Sequence, residues 1–486
     1  MTTWPWTTLD ALVSDDPNAL TDGPFGSKLK SEHYTDHGVR VVRLGNLGVG
    51  EFKDADKSFV SEAHAAELER HRLFDGDLLI AALAEPVGRC CQVPRSILPA
   101  IVKADCIRFR PRPEVNRRFV MHWLNSPEAK KNAERHSHGV GRLRINMGAI
   151  RELPVPLPTR PVQDRTVEAI ETHFSRLDAA VTSLTRAKAN LKRARASVLK
   201  AAVEGRLVPT EAALAHAEGR DYEPASALVA RIDRAPRPNR YKTRSTNVIP
   251  GHAALSVGDT GATLPDGWTR APMVEVARME SGHTPSRNHP EWWDGDVPWV
   301  GIADAREHHG GVIHDTEQHT NGDGLANSAA RLLPAGTVCV SRTASVGYVI
   351  VLGRPMATSQ DFVDWVCTDA LDPDWVRVVF LADREALLRF GKGSVHKTIY
   401  FPELLSLHIA IPPLAEQRRI VAEVDRRLSV LDALDASVDA NLARCARLRQ
   451  SVLKLAFEGR LVPTEAPADA TPLAAEPEGA PYEAPA

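Results

Sequence analysis

Long apolar runs are missing from this sequence. No stretch approaches the roughly eighteen consecutive apolar residues that a membrane-spanning helix needs. The first residues, Met1 to Asp10, do not join a basic segment to an apolar one, so no signal peptide is expected there. Cysteine is scarce. The six residues (Cys90, Cys91, Cys106, Cys339, Cys367, Cys445) show no CxxC spacing, which argues against a disulfide framework. The vicinal Cys90-Cys91 pair is read as buried thiols in a reducing compartment, and the chain as cytoplasmic. An excess of positive charge is lacking too: the net charge is -2, although a nucleic-acid binder usually declares itself by basic character. The basic residues are concentrated locally, with eight Lys/Arg against two acidic residues between Arg176 and Arg206.

Catalytic signatures are equally hard to find. No G-x-x-x-x-G-K-[ST] loop and no helix-opening G-x-G-x-x-G are present. The Asn/Asp-Pro-Pro-aromatic motif by which amino-methyltransferases hold a base is absent. His308-His309 and the other histidines lack metal-ligand spacing. Ser341, Ser345 and Ser359 have no nucleophile-elbow context. These absences point to binding rather than to catalysis.

What is present is a long-range repeat. Ser197 to Ala212 reads SVLKAAVEGRLVPTEA and Ser451 to Ala466 reads SVLKLAFEGRLVPTEA, fourteen identities in sixteen positions at an offset of 254. The same offset sets Pro158 on Pro412, Gln163 on Gln417, Arg165 on Arg419, and Leu177-Asp178 on Leu431-Asp432. Farther upstream, Asp75-Gly76 to Ile80 matches Ala335-Gly336 to Val340 with slight drift. The chain is therefore two halves, each a divergent globular segment followed by a nearly identical helical one.

Both globular segments read as mixed α/β. Strands are expected at 39–43, 77–80, 297–300 and 337–340, and helices from Arg118 to Ala133 and from Asp374 to Phe390. Each ends in a Pro-rich exit, Pro154 to Pro158 or Ile409 to Pro413. A helix of about 35 residues should follow, stopping at Gly205 or Gly459. Glu416 is expected to favour the dipole in the first turn of the second copy. The first helix carries a heptad seam of Leu177, Ala180, Leu184, Ala187, Leu191, Ala194, Val198 and Ala201. In the second, Leu431, Leu434, Val438, Asn441, Cys445, Leu448, Val452 and Leu455 hold the equivalent positions. Small residues in one seam against larger ones in the other fit an antiparallel coiled coil, with Asn441 a candidate for fixing register. Pro224 to Ile232 reads as a short helix docking on the long one.

This layout resembles the specificity subunits of type I restriction-modification systems. The resemblance covers nearly the whole chain. Its most specific matches are Leu264-Pro265-Asp-Gly267-Trp268, Gly282-His-Thr284-Pro285-Ser286, Trp292-Trp293-Asp-Gly295-Asp-Val-Pro298-Trp299-Val300 and Arg331-Leu-Leu333-Pro334-Ala-Gly336-Thr. They continue with Gly347, Gly393-Ser394 and Ile411-Pro412-Pro413-Leu414-Ala-Glu416-Gln417-Arg418; the first half has the related Thr21-Asp-Gly23-Pro24-Phe25-Gly26-Ser27. It departs at the first helix start, where Val162 stands for Glu416 and Arg160 for Leu414, a difference expected to fall on the helix cap.

The resemblance implies an α/β fold with two target-recognition domains, two long helices packed as an antiparallel coiled coil, and a pseudo-two-fold internal repeat. The expected segments are a first recognition domain (1–158), a first helical spacer (159–212), a linker with a short helix (213–263), a second recognition domain (264–412), a second spacer (413–466) and a disordered tail (467–486). It implies a non-catalytic chain that reads a bipartite, asymmetric site in double-stranded DNA. Two methyltransferase subunits and restriction subunits would be its partners, with no membrane. S-adenosylmethionine, ATP and Mg are expected on those partners, and no cofactor or metal on this chain. Polar loop residues suited to base edges are Ser27, Lys28, Lys30, Arg142, Arg144 and Asn146 in the first domain. In the second they are Thr284, Ser286, Arg287, Arg342, Gln360, Ser394, His396 and Lys397. Trp292, Trp293 and Trp299 are read as core or loop-anchoring residues before base-stacking ones. A non-catalytic coiled-coil adaptor, or a stand-alone methyltransferase or nuclease with an unrecognised site, remain the alternatives.

Overall fold

The computed structural model describes residues 4–139, 141–233, 254–257, 263–390 and 397–462. The chain forms two compact units, Met1–Thr185 with Asp439–Ala486, and Arg186–Val438. Each unit thus joins one globular segment to the far end of the other half's long helix.

The sheets explain why their strands read as unbroken apolar runs. In the first unit the order is Leu20–Thr21, Cys106–Phe109, Leu78–Ala81, Cys90–Gln92, all antiparallel. Both faces of this sheet are covered. Leu78 and Ile80 enter one core with Phe109 and Trp123, while Leu79 and Ala81 enter another with Val102 and Cys106. The same alternation sends Cys90 and Cys91 to opposite faces. Burial pushes both thiols up, Cys91 to about 12, which disfavours the reactive thiolate form. A second sheet in this unit orders Tyr34–Thr35, Phe59–Val60, Val39–Val42, Ala100–Val102 and Arg72–Leu73.

The second unit repeats the scheme. Its five-stranded sheet runs Ala277–Glu280, Phe362–Cys367, Val338–Ser341, Val349–Leu352, Val312–Ile313. Val338, Val340, Val363 and Trp365 face the larger core, whereas Cys339, Ile350 and Phe362 face a smaller one. The expected strands appear at Val39–Val42, Leu78–Ala81, Val297–Val300 and Val338–Ser341. Both expected helices are divided. Arg117–Leu124 gives way to Pro127–Arg135 because Ser126 caps a new start, accepting the Ala129 N–H, with Pro127 in the first turn. The other splits into Pro373–Ala382 and Arg384–Phe390.

The long helices are Arg160–Val203 and Leu414–Phe457, 44 residues each, beginning at the proline exits rather than a few turns later. Both stop at a left-handed glycine, Gly205 and Gly459, each at φ 67°. The Arg206 N–H then reaches the Ala201 carbonyl at 2.8 Å, and Arg460 reaches Leu455 at 2.9 Å. In the first unit Ile170 packs on Leu453 and Ala456, and Asp178 pairs with Arg449. In the second, Leu199 and Val203 share a core with Val424 and Ile420, and Arg195 pairs with Asp432. Numbers rise along one helix as they fall along the other, so the pairing is antiparallel in each unit. The ion pair Asp178–Arg449 is Asp432–Arg195 moved by the repeat offset.

The first seam lies where expected: Leu177, Leu184, Leu191, Val198 and the alanines between them are half-buried. The second needs a correction. Leu431, Val438 and Val452 are half-buried, as is Cys445, but Leu434 and Leu448 are exposed at 49% and 42%, and Asn441 also lies on the exposed side. Asp435, Leu442 and Arg449 form the second column instead. The three-four spacing is right and its phase reversed, because the partner helix lies on the other flank of the shared Leu431–Val438–Cys445–Val452 stripe.

Each globular segment is seated on its helix by a repeated glutamine. Gln163 accepts the Asn116 N–H and donates to the Pro158 carbonyl, both at 2.8 Å. Gln417 accepts the Asp372 N–H at 2.8 Å and donates to Pro412 and Ala370 at 2.9 Å. Glu416 is not a solvated dipole partner: it is fully buried, accepting from Trp268 Nε1 and the Glu211 N–H, each at 2.8 Å, and burial raises its pKa. In the first half Val162 stands there and packs with Trp4, whose Nε1 has no partner among the described residues.

The short helix of the linker appears as Ala225–Arg231, with Ala225 in the core beside Val203. A helix at Glu211–Glu218, capped by Thr210, and a strand at Leu255–Val257, paired with Leu407–Ile411, were not expected there. The rest of that linker (234–253 and 258–262) and the expected tail at 467–486 lie outside the described residues.

Candidate nucleic-acid interface

The candidates among the described residues gather at one end of each main sheet. In the first unit the chain leaves Leu20–Thr21 and Leu78–Ala81, and enters Cys106–Phe109, at the same end, because neighbouring strands are antiparallel. The corresponding end in the second unit joins Glu280, Ser341 and Phe362. In both, a glycine lets the first of these loops press on its neighbour. A Cβ on Gly23 would lie 2.0 Å from the Lys103 carbonyl carbon, and one on Gly282 would lie 2.1 Å from the Thr358 oxygen.

In the first unit Asp22 holds this junction, accepting from Gly23 at 2.7 Å and from Asp105 at 2.9 Å; burial raises its pKa. Arg144 pairs with Asp105 and lies over the exposed ring of Phe25, 5.8 Å from its centroid. Phe25, Lys28, Arg70, His71 and Met147 line a cleft of about 420 Å³. Arg70 and His71 escaped sequence reasoning, since nothing in their local pattern marks them. Lys30 turns to Glu32 at 3.5 Å, and Arg142 is exposed. Asn146 commits its Oδ1 to capping Met147–Arg151, accepting from Ala149 at 2.8 Å. Of Ser27 the side chain lies outside the description.

In the second unit Gln360 is the hub. Its side-chain oxygen accepts from Thr284 Oγ1, and its backbone oxygen accepts from Arg342 Nη2 at 3.0 Å. Arg342 also lies 4.6 Å over the Phe401 ring. Arg287 stacks on Trp293 at 3.6 Å and donates to Gln318 Oε1 at 2.6 Å. Trp293 donates to the Ser286 carbonyl at 3.3 Å and meets Trp299 edge-on at 5.0 Å. Trp299 is buried, and its Nε1 donates to His283 at 3.0 Å. The expectation that these tryptophans anchor loops therefore describes Trp293 and Trp299, while Trp292 stacks on His289 at 4.1 Å. Gln318 was not foreseen, being 31 residues away in sequence. Lys397 is exposed; Ser394 and His396 lie outside the described residues.

Beneath this end lies a buried carboxyl. Asp364 accepts from Thr358 Oγ1 at 2.7 Å, and burial pushes its pKa up to about 7 against the opposing pull of its hydrogen bonds with Cys339 and Thr358. Fully buried, with its bonds spent on Thr358 and Cys339, it is placed to fix loop geometry.

Comparison with known proteins agrees with this layout. The type I restriction modification DNA specificity domain matches residues 265–438. The EcoKI specificity subunit of Escherichia coli strain K12 is 23% identical over 432 residues, covering 87% of this chain and 82% of that one. The family match thus lies in the second half of the chain, while the likeness to a whole specificity subunit runs along most of its length. The MjaIX specificity subunit of Methanocaldococcus jannaschii is 24% identical over 159 residues, 32% of this chain and 37% of that protein. Among solved structures, one of a type I restriction-modification system aligns with TM-score 0.63 at 18% identity, covering 94% of this chain and 98% of that one. The specificity subunit of Thermoanaerobacter tengcongensis gives 0.51 at 17%, covering 95% and 98%. At these identities the two structures establish a shared fold. No described helix is long and apolar enough to cross a membrane.

Proposed function

We propose that each unit reads one half of a bipartite, asymmetric site in duplex DNA, while the two long helices space the readers and dock two methyltransferase subunits. Restriction subunits would join that assembly. S-adenosylmethionine, ATP and Mg would belong to these partners, and this chain would supply sequence selection. One observation carries the reading. The two units share a framework down to the hydrogen bonds of Gln163 and Gln417, yet present different side chains at the same sheet end. One frame with two different reading faces suits two different half-sites, where an identical pair would suit a palindrome. The net charge of -2 fits partners that supply most phosphate contacts. Replacing residues 1–150 with another reader should change one half of the methylated motif in sequenced genomic DNA. A change in both halves would overturn modular reading, and methyl transfer or cleavage by the purified chain alone would overturn the non-catalytic role.

A further inference from the structure

An exposed arginine normally costs side-chain entropy to immobilise, and several near these loops are held by an acid. Arg144 has Asp105, while Arg278 and Arg331 share Glu280. Arg287 differs. It is exposed, and no carboxylate pairs with it among the described residues, yet its guanidinium is fixed on two sides. The Trp293 ring lies 3.6 Å beneath it and Trp299 lies 5.2 Å away. Gln318 Oε1 takes one N–H at 2.6 Å.

The support is itself rigid. Trp293 and Trp299 are both hydrogen-bonded to backbone carbonyls, of Ser286 and His283. The backbone oxygen of Gln318 accepts from Trp299 N at 2.9 Å and from Thr316 Oγ1 at 2.7 Å. A full positive charge is therefore presented to solvent in a set orientation, with most guanidinium donors unspent. Five donors in a planar fork match two acceptors side by side. In duplex DNA that pattern is the O6 and N7 edge of guanine in the major groove. Preorganisation lowers the ordering cost of making such a contact.

We propose that Arg287 is a specificity-determining residue that reads one guanine in the half-site assigned to the second unit. This rests on the DNA-reading function proposed above. The test is the methylated motif, read by sequencing genomic DNA from cells that express the full chain with its partner subunits. The wild-type motif should contain a guanine in one half-site. Arg287→Ala should relax that single position, with a roughly ten- to hundredfold loss of preference for guanine and the other half-site unchanged. Arg287→Lys should lose most of the preference, because a point charge replaces the fork.

Gln318→Glu guards against misfolding as the explanation. It leaves Arg287 and its tryptophans in place but sets a carboxylate where Oε1 lies, and it should relax the same position. Uniformly weaker methylation at an unaltered motif would overturn the proposal in favour of a phosphate contact. An unaltered motif at full level would overturn it outright. A wild-type motif independent of this chain would instead remove the underlying DNA-reading function.

Discussion

The side-chain oxygen of Gln417 accepts the backbone N–H of Asp372, the residue that caps the helix Pro373–Ala382. One side chain thereby ties the start of a long helix to the start of a helix in the globular segment. Its amide also donates to Ala370 and Pro412. Gln417→Leu leaves these buried groups unpaired, a loss of about 1–3 kcal/mol. Gln163→Leu removes two such bonds rather than three and should cost less. Chemical denaturation of each variant reads this directly, and a loss under about 0.5 kcal/mol in both would contradict the assigned role.

Asp364 makes the second unit sensitive to pH. Its carboxyl titrates near 4 in the unfolded chain and at about 7 in the folded one. The folded state therefore holds its proton more tightly, and the stability this group contributes is complete below pH 4 and lost as pH rises through 7. The slope is at most about 1.4 kcal/mol per pH unit. Asp364→Asn has no such proton to lose, so its stability relative to the wild type should climb between pH 4 and 7 and level off above. Urea unfolding across that range provides the measurement, and parallel curves for the two proteins would exclude the effect.

Architecture was readable because repetition and local chemistry agree. The copied GRLVPTEA segment marks both helix ends, and its glycine is the residue that takes φ 67° in each. Apolar runs such as Leu78 to Ala81 located strands, although only the structure shows that both faces are buried. The reading faces were less legible because their contacts join distant positions. Gln318 holds Arg287 and Gln360 holds Thr284. Residue type misleads there as well: Asn146 has a base-reading amide but spends its oxygen on a helix cap, and Glu416 looks like a first-turn acid but is a buried acceptor. An apolar strand or a glycine stop is determined by its neighbours in sequence, whereas a loop residue's task is determined by what the fold brings beside it.

Gly282 allows the second reader's entry loop to cross its neighbour. A methyl group there would meet the Thr358 oxygen at 2.1 Å, and Thr358 also holds Asp364. Backbone must move to admit it, at a cost of about 1–3 kcal/mol. Gly282→Ala should therefore degrade only the half-site read by the second unit, and Gly23→Ala only the other. Motif sequencing separates the two outcomes, and equal damage to both half-sites by either substitution would count against independent readers.

The phase of the second seam gives a test that composition alone would not suggest. Leu442 and Leu448 belong to the same helix and have the same size, yet Leu442 is half-buried and Leu448 is 42% exposed. Leu442 occupies the column with Arg449, whose guanidinium pairs with Asp178 and lies 4.4 Å over the Phe174 ring. Leu442→Ala should remove packing between the helices and cost on the order of 1–2 kcal/mol. Leu448→Ala leaves the seam intact and replaces leucine by a good helix former, so its effect should stay within about 0.5 kcal/mol. Thermal unfolding of the pair decides between the two phases. If Leu448→Ala were the more damaging substitution, the partner helix would have to lie on the flank that the heptad pattern alone had proposed.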